Sequence, residues 1–161
     1  YPEDQYNLQA DWGPSNFDVR HKFVASATVM LPYDFMLSGI VTIRSGFPYT
    51  AGDYRDHNTD GFYNDRAVVE TSPGVYFHYS RNTFNQEYNR RFDLRLAKSF
   101  SFGRDFEFEV IGEVFNVTDE ANWITFSDEL VNRDGEIRDD FGERDKSGDP
   151  RQYQLGVKFR F

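Results

Sequence analysis

The sequence predicts an all-β fold: an antiparallel transmembrane β-barrel segment of five long strands, with tight turns at one end and long loops at the other. Three observations carry this reading. Five segments alternate apolar and polar residues with period two, as strands with two unlike faces do. Each apolar face covers about nine or ten residues, enough to cross a bilayer when tilted and more than the ~5–6 of soluble strands. Tight turns also alternate with long connections, an arrangement that a compact soluble domain rarely tolerates and a spanning barrel uses.

The strands are expected over about 19–31, 35–45, 90–100, 106–117 and 151–161. In the first, Phe23, Ala25, Ala27, Val29 and Leu31 share a face, and in the second Phe35, Leu37, Gly39, Val41 and Ile43 do so. The third sets Phe92, Leu94 and Leu96 against Asp93, Arg95 and Ala97. The fourth sets Phe106, Phe108, Val110, Gly112 and Val114 against Glu107, Glu109, Ile111 and Glu113. The fifth sets Tyr153, Leu155, Val157, Phe159 and Phe161 against Gln152, Gln154, Gly156, Lys158 and Arg160. Leu31-Pro32-Tyr33-Asp34 makes the first tight turn and Ser101-Phe102-Gly103-Arg104-Asp105 the second.

Composition fits a thin apolar shell. Mean hydropathy is −0.71, yet 18% of the residues are aromatic, and disordered chains are usually poor in aromatics. No apolar run approaches the ~20 residues of a membrane helix. No charged and apolar leader follows Tyr1, so a mature or truncated start is expected. Cysteine is absent, which removes disulfides and thiolate zinc sites. The net charge of −9 concentrates outside the strands: residues 118–150 hold 11 acids against 4 bases, and residues 46–88 hold 6 against 3. A basic nucleic-acid footprint is lacking.

With both tight turns periplasmic, Phe161 ends at the inner rim. Tyr33, Phe35, Phe100, Phe102, Phe106, Phe159 and Phe161 then form an inner aromatic girdle, and Phe47, Tyr49, Phe92 and Tyr153 an outer one. Five strands fall short of the ~8 of the smallest spanning barrels, and an open edge in lipid leaves backbone groups unsatisfied. The expectation is a chain that begins in an external loop (residues 1–17), ends at the true carboxy terminus, and is completed by preceding strands or by other chains.

A set of short motifs carries a resemblance. They are Asp18-Val19-Arg20-His21-Lys22-Phe23, Ser45-Gly46-Phe47-Pro48-Tyr49-Thr50, and Asp56-His57-Asn58-Thr59-Asp60-Gly61 with Asn64-Asp65-Arg66. Phe92-Asp93-Leu94-Arg95-Leu96, Gly112-Glu113-Val114-Phe115-Asn116-Val117, and Pro150-Arg151-Gln152 leading to Phe159-Arg160-Phe161 follow. In this order they resemble the carboxy-terminal part of the barrel of TonB-dependent outer-membrane receptors, especially Oar-like members. The resemblance implies the bacterial outer membrane and energised import or export of a bulky ligand through a barrel of about 22 strands. It places the plug domain and the contact with the TonB system amino-terminal of residue 1, outside this chain.

The last strand, with Tyr153, Leu155, Val157, Phe159 and Phe161, also resembles the signal read by the barrel-assembly machinery; strand addition supplies the backbone bonds and alternate side chains the specificity. The alternative is an ordinary closing strand. Asp56, Asn58, Asp60 and Gly61 reproduce the first half of a calcium loop. Position twelve is Ala67 instead of Glu, so Asp53 and Asp65 are the candidates to complete the ligand set. The competing reading is an Asx-rich turn. Asp93, Arg95, Glu107, Glu109 and Glu113 face the lumen, where cross-strand ion pairs are expected and catalysis is not. His21 and His57 show no evident partner for a hydrolase, and the acidic 128–149 stretch reads as a mobile external loop. Transport or receptor function thus leads, a structural β-subunit completed by other chains comes second, and an outer-membrane hydrolase third. Outer-membrane lipid is the expected surrounding.

Overall fold

A computed structural model describes residues 2–103 and 106–161; Arg104 and Asp105 of the second expected turn, and Tyr1, lie outside the described residues. In chain order the strands are β1 (Lys22–Leu31), β2 (Phe35–Arg44), β3 (Pro48–Tyr49), β4 (Gly52–Asp53), β5 (Val68–Ser72), β6 (Val75–His78) and β7 (Phe84–Asn85). They continue with β8 (Asn89–Phe102), β9 (Phe106–Phe115), β10 (Trp123–Phe126), β11 (Glu129–Val131), β12 (Arg144–Ser147) and β13 (Gln152–Arg160). The described residues contain no helix. The chain divides into two compact units, one of Tyr1–Arg20, Gly46–Glu87 and Trp123–Ser147, the other of His21–Ser45, Tyr88–Asn122 and Gly148–Phe161.

The second unit is one antiparallel sheet in the order β1-β2-β8-β9-β13. Its register explains the alternation in the sequence. Val29, Leu37, Leu96, Gly112 and Leu155 stand in one row across all five strands, and Ala27, Gly39, Leu94, Val114 and Tyr153 in another. The opposite face carries rows such as Thr28, Ser38, Arg95, Glu113 and Gln154. Because side chains alternate with period two, a one-residue slip of any strand would mix the two faces. All four pairings avoid that slip.

Two cations bound the apolar face on β8. Arg90 stands opposite Ile43, and Lys98 opposite Phe35 and Val110. Eight residues separate them, about 27 Å of antiparallel strand at ~3.4 Å per residue. Tilted by ~40°, that length matches an apolar band of roughly 20–25 Å. The Lys98 ammonium lies 4.2 Å from the Phe35 ring centroid and 5.2 Å from that of Phe100, and donates to the Tyr33 carbonyl at 3.0 Å. It therefore reaches to the tight turn, as a lysine does when it keeps its charge at a polar boundary. On the same side of that row Phe108 packs on Phe100 at 5.9 Å and on Phe159 at 4.9 Å, a cluster of the kind that girdles a spanning barrel.

The β1–β2 turn passes through Tyr33 and Asp34, both in the left-handed region (φ 63° and 60°). At the other end of the sheet two buried asparagines organise the chain exits. Asn116, also left-handed (φ 51°), donates to the Glu120 and Asp149 carbonyls, and Asn122 exchanges hydrogen bonds with the backbone of Arg90. Both long connections leave from this end.

The first unit comprises those connections and residues 1–20. It is built from short pairs: β3 with β7, β5 with β6, β10 with β12, and β4 parallel to β11. Ala51, Ala67, Leu130 and Val131 are its buried apolar residues, packed by Val69, Tyr79, Phe84 and Phe141. Tyr49 stacks on Phe84 at 5.6 Å and on Phe126 at 6.2 Å, and Phe47 meets Phe17 edge-on at 6.4 Å. Both aromatics thus pack on other rings of this unit. The 128–149 stretch, read from its acidity as a mobile loop, is likewise folded. Leu130 and Val131 are buried, and Arg138 bridges Glu129 at 3.3 Å and Asp140 at 2.6 Å.

Candidate functional site

Gly52 and Asp53 pair with Glu129 and Val131 through β4 and β11, and Gly52 also bridges Arg66. The Asp53 N–H donates to the Asp65 carbonyl at 2.9 Å. Asp53, Asp65 and Arg66 are thus placed side by side by backbone bonds. They line a cavity of about 840 Å³ together with Glu3, Asp11 and Trp12, all within the first unit.

Asp53 is 3% exposed, and donors surround its carboxylate. Oδ1 accepts from Arg55 Nε at 2.9 Å and the Arg55 N–H at 3.0 Å; Oδ2 accepts from Arg55 Nη2 at 2.7 Å and lies 2.8 Å from His57 Nε2. Burial alone would push its pKa up, but the bonds from Arg55 and His57 prevail and hold it at about 2. His57 therefore has the carboxylate partner that the sequence did not reveal. The signal was present as Asp53-x-Arg55-x-His57, but nothing in that spacing says the three converge. Among the described residues no Ser or Thr hydroxyl hydrogen-bonds His57; its ring meets the Asp53 carboxylate.

The Asp56–Gly61 segment is a tight polar turn. Asp56 Oδ1 accepts the Asp60 N–H at 3.2 Å and Oδ2 the Gly61 N–H at 2.9 Å. Asn58 Oδ1 accepts the Asp60 N–H at 3.0 Å, and Asp60 Oδ1 the Phe62 N–H at 2.8 Å. Gly61 sits at φ 88°, where any Cβ is strained. Asp65 Oδ2 takes the His57 N–H at 2.5 Å, while Asp65 Oδ1 is buried without a donor. Of the five residues expected around calcium, Asp53 is therefore committed to Arg55 and His57, and the other four stay on one segment.

Arg66, Glu3 and Asp11 were not singled out by the sequence. Arg66 is 7% exposed; its guanidinium pairs with Glu3, lies 3.5 Å from Asp11, and donates to the Ala10 carbonyl at 2.6 Å. Contacts more than fifty residues apart leave no periodic trace. Burial raises the pKa of Tyr49, helped by the negative charge of Asp128.

On the polar face of the sheet, Arg95 Nη2 reaches Glu109 Oε1 at 3.3 Å, and its Nε is 3.9 Å from Glu113. Glu107 pairs with Arg160 at 2.8 Å. Asp93 bonds Arg91 of its own strand at 2.9 Å and accepts the Asn116 N–H at 2.9 Å, so its ion pair is not a cross-strand one. Such exposed pairs contribute ~0–1 kcal/mol each. On β13, Tyr153, Leu155, Val157 and Phe159 alternate outward on the apolar face and are largely exposed. Phe161 follows β13 and is also exposed. β13 hydrogen-bonds β9 alone among the described strands.

With this geometry in place, comparison with known proteins adds one finding. Residues 1–74 match a family model described as an outer membrane beta barrel domain. No curated protein and no solved structure matches the chain. The family match and the long-stranded antiparallel sheet make this an outer-membrane β-barrel protein, located in the bacterial outer membrane.

Proposed function

We propose that this chain supplies wall strands and ligand-facing external loops of a TonB-dependent outer-membrane transporter or receptor that moves a bulky ligand. The observation that carries the reading is the folded state of the long connections. They form a unit with its own core and an acidic cavity of about 840 Å³, within the ~300–1,000 Å³ typical of ligand sites. A barrel serving only as a passive wall has no need of such a unit. The motif resemblance supports the energised mechanism, with the plug and the TonB contact supplied by sequence amino-terminal of residue 1. The apolar face meets outer-membrane lipid, further strands of the same barrel or of other chains adjoin the sheet edges, and β13 offers the alternating pattern that the assembly machinery reads. The reading includes no catalysis.

The test uses cells with and without the gene, given fluorescein-labelled oligopeptides and oligosaccharides too large for general porins. Accumulation that requires the gene and stops when an uncoupler collapses the inner-membrane gradient is the expected result. Accumulation that survives the uncoupler would replace active transport by a passive pore. Failure of every probe to depend on the gene would favour a structural subunit.

A further inference from the structure

We propose that the cavity of about 840 Å³ in the first unit takes an organic cation, the guanidinium side chains of an arginine-bearing oligopeptide. This names a ligand class for the site and rests on the reading of the folded connections as a ligand-facing unit. The first observation is an uneven balance of charge in the cavity wall, which carries six carboxylates against the guanidiniums of Arg66 and Arg81. Most of the carboxylates are answered within the chain. Arg66 pairs with Glu3 and lies 3.5 Å from Asp11, Arg55 takes Asp53 at 2.7 Å, and Arg138 reaches Glu129 at 3.3 Å. Asp65 and Asp128 remain, and among the described residues no Lys or Arg pairs with either; Arg81 bonds Asn16.

Asp65 is the sharper case. It is 2% exposed; one oxygen accepts the His57 N–H, and the other is enclosed without a donor. That enclosure denies it a contact with a ligand, but its charge still acts through the wall. A cleft lined by one sign of charge, with low-dielectric walls, focuses that field on whatever enters. Asp128, by contrast, is exposed and can meet a ligand directly.

The second observation concerns the rings. Tyr54 and Tyr63 line the same cavity. The Arg133 guanidinium stands 5.2 Å from the first ring centroid and 5.9 Å from the second, inside the ~6 Å of a cation–π contact. Two rings of the wall are thus spaced to share one guanidinium. Other ligand chemistries fit less well. Among the described residues no three His, Asp, Glu or Cys side chains group tightly enough to hold a metal ion, so the cation is one large enough to span separated groups. A neutral sugar would stack on the rings but leave Asp65 and Asp128 unanswered, and an anion would be repelled. A guanidinium answers both features, because it stacks on aromatic faces and forks onto carboxylates.

The experiment titrates the full-length protein, purified from outer membranes in non-ionic detergent, by calorimetry. The probes are tetra-arginine, its uncharged isostere tetra-citrulline, and maltotetraose. Tetra-arginine is expected to bind at least tenfold more tightly than either of the others, and more weakly as salt is raised. Asp128→Asn and Tyr63→Leu should each weaken it roughly two- to fivefold. Arg133→Gln, which removes a competing cation, should tighten it, and Asp139→Asn, outside the cavity wall, should leave it unchanged. Each variant is first checked for heat-modifiable migration; Asp128 makes no side-chain bond among the described residues, so its variant keeps the comparison open if Tyr63→Leu fails to assemble. No binding of tetra-arginine, equal binding of tetra-citrulline, or a preference for maltotetraose would each overturn the assignment. Binding in detergent needs no inner-membrane gradient, so these results are separate from the uncoupler test of transport.

Discussion

The backbone N–H of Arg66 donates to Glu3 Oε1 at 3.0 Å, and the Arg66 guanidinium pairs with the same carboxylate, joining residues 63 apart in the chain. Both side chains are nearly enclosed, 8% and 12% exposed. Removing one partner of a buried pair strands the other charge, which costs roughly 3–5 kcal/mol. Glu3→Gln and Arg66→Gln are each expected to raise amide hydrogen exchange across residues 2–11 and 62–68. Because the two act on one interaction, the double variant should fall short of the sum. Strict additivity would show that the pair does not hold the amino-terminal segment.

Asp53 gives this unit a defined acid sensitivity. Its pKa is depressed to about 2, against an ordinary ~3.9. A depressed carboxylate stabilises the folded form above the unfolded value, and that contribution disappears as pH falls through the folded one. Exchange protection of residues 52–57, corrected for intrinsic rates, should therefore hold above about pH 4 and decline toward pH 2. Asp53→Asn should lack this part of the protection at neutral pH, with the pH dependence flattened.

Two glycines in similar sequence surroundings should respond differently to alanine. A Cβ at Gly46 would lie 2.2 Å from the Gln86 carbonyl oxygen, which is backbone and cannot turn aside. One at Gly39 would meet Leu94 Cδ2 at 3.2 Å, the end of a flexible side chain. Gly46→Ala is expected to cost about 1–3 kcal/mol and to open residues 46–50 and 84–87 to protease. Gly39→Ala should leave assembly and heat-modifiable migration close to the wild type.

Much of the sheet was legible because a strand with two unlike environments repeats every two residues. Leu94, Leu96, Asp93 and Arg95 declare their faces by position alone, and the antiparallel five-strand fold follows. Strand ends were less legible. The expected 19–31 strand runs from Lys22, and the expected 90–100 strand extends over Asn89–Phe102, since ends depend on local hydrogen bonds more than on pattern. The folded connections were largely hidden. Their strands are two to five residues long, too short for a period to register, and β4 and β11 join through a parallel pairing across distant sequence. The acidic spacing at Asp56, Asn58 and Asp60 was visible, but neither the engagement of Asp53 by Arg55 and His57 nor the enclosure of Asp65 could be read from it.

The central claim is that one face of this sheet lies against lipid and the other against water. Single-cysteine spin labels placed in turn at residues 92 to 97 on β8 test it directly, in a background free of other cysteines; residues 1–161 contain none. In the full-length protein in outer-membrane lipid, labels at Phe92, Leu94 and Leu96 should relax with oxygen. Those at Asp93, Arg95 and Ala97 should relax with a water-soluble nickel chelate, giving a period of two. Equal access of the nickel chelate to both sets would contradict the account.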